Sequence, residues 1–188
     1  MYFVSLFRVF RGKIPLMNTK LNPIFARRSV RKFTAKPVSP EMIHDLLEAG
    51  MAAPSARACD PWSFIVIQKR ETLDAMADIM PYGQMLRQAP LAIAVVGDQS
   101  KAAEGELSYM IQDCSAAAEN ILIAASLLGL GGVWLGAHPR PERMEPLIKT
   151  LNLPSHITPV ALLAIGYPAE TPEPRTRYRN NVVHKEHW

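Results

Sequence analysis

The chain has 188 residues, 48% of them hydrophobic and 20% charged, with two cysteines and a formal net charge of +4. This describes one ordinary globular domain with room for a core, and excludes a collagen-like, low-complexity or disulfide-stapled protein. The basic excess is local: residues 1–40 carry nine Lys or Arg and no acid, while the rest carries twelve against seventeen acids, which excludes a general nucleic-acid-binding surface.

Residues 1–16, MYFVSLFRVFRGKIPL, set Phe3, Phe7, Phe10 and Ile14 at helical spacing among Arg8, Arg11 and Lys13. The apolar run is too short to span a bilayer. Arg8 interrupts any signal-peptide core, and no small-residue cleavage site follows. We read residues 1–19 as an extension produced by an upstream start before Met17. An arm packing on a partner subunit and a membrane-surface helix are the alternatives. Stable membrane insertion is not expected. Residues 20–188 form the domain.

From there helices and strands alternate. Asn22-Pro23 is a cap and first-turn signal that opens a short helix through Arg28. Ser39-Pro40-Glu41 opens a second helix, whose Ile43, Leu46, Leu47 and Met51 keep helical spacing. Ser63 to Gln68 reads as a strand and Glu71 to Met80 as a helix. Leu91 to Val96, LAIAVV, is an unbroken apolar run suited to a central strand buried on both faces. The longest helix is predicted from about Gly105 to Leu128, apolar on most sides near its end, so it belongs either to the core of one subunit or to a contact with a second. A short strand at Val133 to Gly136, a helix near Arg140 to Thr150 and a last strand at Pro159 to Gly166 complete the order. The expected class is α+β: a mainly antiparallel sheet wrapped by helices.

Several chemistries find no support in the spacing. Gly129-Leu130-Gly131-Gly132 follows a helix rather than a strand and lacks GxGxxG spacing, so it reads as a helix end and not a dinucleotide loop. There is no GxxxxGK[ST] and no GxSxG. Five His and two Cys show no zinc spacing, and His184 with His187 is a lone pair near a terminus, so no metal is expected. Asp113 and Glu119 lie on different faces of the long helix and make no acid–base pair. Cys114 falls on the apolar face of that helix and Cys59 in a loop, and both suit a reducing, cytoplasmic compartment.

Two motifs carry the chemistry. Arg27-Arg28-Ser29-Val30-Arg31-Lys32-Phe33 gathers forked guanidinium donors and a hydroxyl, the groups that grip a phosphate. Read alone, such a run is a solvated basic face. Ala53-Pro54-Ser55-Ala56, followed by Asp60-Pro61-Trp62, is a small-residue turn that lets a flat ring approach the backbone. With the strand LAIAVV, the segment DCSAAAENILIAASLLGLGGVWLG and a C-terminal basic pair, these motifs stand in an order that resembles the nitroreductase family of FMN-dependent NAD(P)H oxidoreductases. The resemblance covers nearly all of residues 20–188.

What the resemblance implies is an FMN site at the interface of a homodimer. Arg27, Arg28 and Ser29 match the family's phosphate-side residues, and Arg175 and Arg177 match its C-terminal basic pair. Arg31 matches a cation beside N1 and O2 of the ring, where negative charge develops on reduction. Pro54, Ser55 and Ala56, with Ala58 beside them, match the turn that meets the ring across the interface. Trp134, Leu135 and Gly136 match the segment whose backbone amides face N5 and O4. The chain departs from the family pattern at Ala58, where Asn is common, at Asp60, where Gln often stands, and at the bulkier Arg57. The implied reaction takes electrons from NADH or NADPH and passes them to a flat small-molecule acceptor (a nitroaromatic, quinone or enone) in ping-pong order. No side-chain acid or base is required. The alternatives are a flavin-binding or interaction protein without efficient turnover, or another family activity such as reductive dehalogenation.

Overall fold

The computed structural model describes residues 18–174 and 176–188. The reading of residues 1–16 and the role assigned to Arg175 fall outside the described residues. Strand β1 (Trp62–Ile67) pairs with β2 (Leu91–Asp98), β2 with β4 (Ile157–Gly166), and β4 with β3 (Gly131–Gly136), giving the order β1-β2-β4-β3. Every pairing is antiparallel. The run LAIAVV lies inside this sheet, and all of Leu91–Asp98 is buried.

The period of two sorts the strand side chains between two cores. Ala92, Ala94 and Val96 join Val133, Leu135, Leu162 and Ala164 on one face. Helix α3 (Arg70–Ile79) covers that face with Leu73, Met76 and Ala77, and α5 (Pro141–Leu151) adds Leu147. Leu91, Ile93 and Val95 point the other way, with Ala161, Leu163 and Ile165. There they meet α2 (Pro40–Met51), through Ile43 and Leu46, and the 21-residue α4 (Leu107–Leu127). One sheet between two helical layers satisfies both of its apolar faces.

Helix α2 begins where Ser39-Pro40 directs it: Pro40 occupies the first turn and Ser39 Oγ accepts from the Met42 amide at 3.3 Å. Helix α1 (Asn22–Ala26) is shorter than the sequence pattern suggested. It ends before Arg27 and Arg28, whose backbone leaves the helical region at Arg27. Helix α4 buries Met110, Cys114, Ala117, Ala118, Ile121, Leu122 and Ala125. It also leaves Leu107, Tyr109 and Leu127 exposed, Leu127 at 63%.

The glycine run after α4 divides in two. Gly129, at φ 73°, closes the helix: its amide donates to the Ser126 carbonyl at 3.3 Å and the Leu130 amide to the Ala125 carbonyl at 2.8 Å. This is a Schellman end. Gly131 and Gly132 do not end the helix, as the sequence suggested; they open β3. The reason is close approach. Ser29 forms a parallel bridge with Gly132, the Val30 amide donates to the Gly132 carbonyl at 3.0 Å, and a Cβ on Gly131 would stand 2.7 Å from Val30 Cβ. The segment carrying the arginine motif is thereby laid along the sheet edge.

These two glycines fail differently when replaced. Gly129→Ala meets open space and suffers only the left-handed backbone, so it is expected to lose about 1–2 kcal/mol in urea unfolding. Gly131→Ala is expected to displace the stiff Val30 side chain, and limited proteolysis should then cut within residues 26–33 in that variant alone.

Candidate active site

The arginine motif and the C-terminal tail meet. A cleft of about 440 Å3 is lined by Ile24, Phe25, Arg27, Arg28, Ser29, Thr176 and Arg177. Residues nearly 150 positions apart in sequence thus surround one opening with three guanidinium groups and two hydroxyls. The chain is bound there at several points. The Arg28 guanidinium donates to the Glu173 carbonyl, tying motif to tail. Glu170 Oε1 accepts from the amides of Arg31 at 2.6 Å and Lys32 at 3.2 Å. The Ala169 amide donates to the Lys32 carbonyl, and the Thr34 amide to that of Tyr167. Arg27 contacts Glu119 of α4 through Nε at 2.9 Å. This ion pair orients the guanidinium, and it also offsets part of the cleft's positive charge. The Arg31 side chain is exposed and does not line the cleft.

The small-residue turn is a second, separate structure. Pro54, Ser55, Ala56 and Ala58 are absent from the lining of the arginine cleft. Arg57, Ala58 and Asp60 all have positive φ, of 55°, 53° and 47°. A left-handed residue with a Cβ costs about 1–2 kcal/mol, so three of them within four positions need outside support. Ser55 and Asp60 supply part of it: the Asp60 amide donates to Ser55 Oγ at 3.0 Å, and the Ser55 hydroxyl donates to Asp60 Oδ1. Arg57 pairs with Glu104, itself at φ 57°. The charge at Asp60 is therefore engaged inside the turn. The Ser55 hydroxyl is engaged with it, while Pro54 is exposed and Ala56 half-buried.

Strand β3 is the third part. The outward bond from the Gly132 carbonyl to Val30 fixes the direction of every second residue in the strand. Trp134 and Gly136 accordingly turn their backbone groups away from β4, whereas Leu135 turns its own into the ladder with Leu162. The resemblance implies ligand-facing amides for all three; in this register the backbone groups of Trp134 and Gly136 face away from β4, and those of Leu135 pair with it. Arg143 of α5 donates from Nη1 to the Gly136 carbonyl at 3.0 Å, fixing the strand's end.

Asn120 and Glu170 are supporting residues that the sequence did not single out, and Asp113 and Glu119, set aside there as an acid–base pair, are supporting residues too. Asp113 is 6% exposed, and its Oδ1 accepts from the Ala56 amide at 3.0 Å. Asn120 donates to the Ala49 carbonyl near the end of α2 at 3.1 Å. The available signal was an acid inside the apolar stripe between Met110 and Cys114.

The domain matches the model of the nitroreductase family over residues 24–81 and 80–167. The chain belongs to this family. A protein of Methanothermobacter thermautotrophicus is 41% identical over 94% of this chain and 91% of its own. A crystal structure from Parabacteroides distasonis is 42% identical with TM-score 0.86, covering 91% of this chain and 99% of that one. Both carry the provisional name NADH dehydrogenase/NAD(P)H nitroreductase. A nitroreductase-like protein of Desulfovibrio desulfuricans, solved in complex with FMN, is 31% identical with TM-score 0.77, covering 91% of this chain and 98% of its own. The mainly antiparallel α+β architecture described above is the fold these relatives share. No helix among the described residues is long and apolar enough to cross a membrane.

Cys114 reports on the integrity of α4. Burial, and after it the charge of Asp113, push its thiol from 9.0 up to about 12. The folded chain therefore keeps a proton that the unfolded chain sheds above about pH 9. Stability from this group is complete below that value and is lost as pH rises toward 12. Wild type should lose stability over that window in alkaline urea titrations, and Cys114→Ala should lose measurably less.

Proposed function

We propose that this protein binds FMN between the arginine cleft and the small-residue turn of a second copy, and passes electrons from NADH or NADPH to a flat organic acceptor. Oxidoreductase chemistry with FMN and NAD(P)H goes with the family to which the chain belongs. The observation that carries the reading is the cleft joining Arg27, Arg28 and Ser29 to Arg177. Forked guanidinium groups and a hydroxyl are the donor set a phosphate dianion requires. The outward backbone of Trp134 and Gly136 and the small side chains of Pro54 and Ala56 suit a planar ring bearing polar edges.

When bound, FMN supplies the hydride-accepting and electron-donating centre. The protein's residues do the rest. Arg27, Arg28, Ser29 and Arg177 hold the phosphate end. Arg31, on the segment fixed by Glu170, supplies positive charge toward the pyrimidine side. The Trp134 and Gly136 amides orient the ring edge, and the small turn limits what can lie against its face. Donor and acceptor use one place in turn, which is the ping-pong order, so the same planar opening must admit both.

The absorbance spectrum of the purified protein tests this directly. A flavin spectrum that bleaches anaerobically on adding NADH or NADPH and returns with a quinone or nitroaromatic is the expected result. A flavin that never bleaches would make the protein a binder without turnover, and a colourless protein that takes up no FMN would remove the reading.

The two arginine roles separate by measurement. Arg27→Ala should weaken FMN binding about ten- to a hundredfold, the loss of a charge-assisted contact, with the potential of the bound flavin unchanged. Arg31→Ala should lower that potential while changing affinity less. Equal behaviour in both titrations would collapse the distinction.

The separation of turn and cleft within one chain supports a homodimer, as do the exposed apolar residues Leu107, Tyr109 and Leu127 along α4. Light scattering should give twice the chain mass. A monomer that nonetheless holds one FMN per chain would sink the shared-site arrangement.

A further inference from the structure

Asp113 is a buried acid with an incomplete set of partners. It stands on α4 among Met110, Cys114 and Ala117, residues that face the core. Its Oδ1 receives the Ala56 amide, while its Oδ2 is enclosed and meets no donor among the described residues. Burying a carboxylate with one hydrogen bond is costly, and an apolar residue here would fit the stripe. The cost is matched by what Asp113 holds. Ala56 lies next to Arg57 and Ala58, both at positive φ, and strained backbone persists only where surrounding contacts over-determine it. The other ties on this turn, Ser55 with Asp60 and Arg57 with Glu104, join exposed or half-buried loop residues. Asp113 is the tie that reaches the turn from the core.

We propose that Asp113 is a positioning residue for the flavin ring: it fixes the Pro54-Ser55-Ala56 turn at one height and tilt by holding the Ala56 amide from the central helix. The proposal rests on the function given above for where the ring lies. Its mechanical half stands on the chain alone. A charge-assisted bond from a rigid helix converts a loop that would sample several conformations into a fixed platform. The ring then meets a preformed surface, and binding need not order the turn.

The test uses the full chain with Asp113→Ala, Asp113→Asn and, as a control for lost core packing, Cys114→Ala. Hydrogen exchange of the peptide covering residues 54–60, without added flavin, is the first readout. Asp113→Ala should exchange at least tenfold faster there. Asp113→Asn, whose amide oxygen can still accept, should fall between it and wild type, and Cys114→Ala should match wild type. The second readout is FMN itself. Asp113→Ala should bind about tenfold more weakly with an altered visible circular dichroism of the bound flavin, and Cys114→Ala should do neither. If Asp113→Ala does not fold, the comparison of Asp113→Asn with wild type decides by the same two readouts. Unchanged exchange at 54–60 in a folded Asp113 variant overturns the proposal. So does a faster turn with wild-type FMN affinity and dichroism. If wild type binds no FMN, the functional reading and the ring-positioning claim both fall, while the exchange data still show whether Asp113 holds the turn.

Discussion

Helix α4 is the constraint on which the rest depends. It is apolar enough to form the floor of one core and long enough to reach both the small-residue turn and the arginine motif. Three polar side chains leave it for three destinations: Asp113 for the Ala56 amide, Glu119 for Arg27, and Asn120 for the end of α2. Each would be a liability on a helix of that composition if left unpaired. Together they transmit the position of the core to two loops that have little burial of their own. The arrangement explains why an otherwise hydrophobic element carries an acid at a 6% exposed position.

The sheet edge completes the scaffold by a different physical route. The segment of residues 29–34 is anchored by its backbone: Val30 to Gly132, Thr34 to Tyr167, Ala169 to Lys32, with Glu170 accepting from two successive amides. None of these contacts involves the arginine side chains, apart from Arg28 and its bond to Glu173. The rail itself is held by backbone groups, while Arg27 and Arg28 each spend part of their guanidinium on Glu119 and Glu173. Gly131 makes the rail possible, because the Val30 side chain stands where a methyl group would be, and Gly132 leaves the same room for Leu122 of α4.

The fold was largely legible in the residues. LAIAVV announced a strand buried on both faces, Ser39-Pro40 announced a helix start, and the 3-4 stripe after Leu107 announced the long helix. Local chemistry decides those features, so local reading finds them. The end of α1 was misjudged because Arg27 and Arg28 are good helix formers, drawn out of the helix by contacts with the tail and with Glu119. Gly131-Gly132 looked like helix-ending punctuation because their partner, Val30, is about a hundred residues away. The arginine motif was visible as a donor set. Its partners Glu170 and Glu119 were not, since an acid that holds a backbone amide looks in sequence like any solvated surface charge. Three left-handed residues at Arg57, Ala58 and Asp60 were invisible for a related reason: none is the glycine that normally signals such a backbone.

The tie between Arg57 and Glu104 lies outside both cores, its side chains 71% and 56% exposed. Substitutions there have no packing to disturb. The segment carrying the arginine motif, by contrast, is fixed to the sheet, and a change in its backbone would be felt through Gly131 and Val30. The molecule is thus divided into a part that inheritance must preserve and a part free to drift. Descendants of this chain could exchange Arg57 and Glu104 without disturbing the sheet edge that carries the arginines.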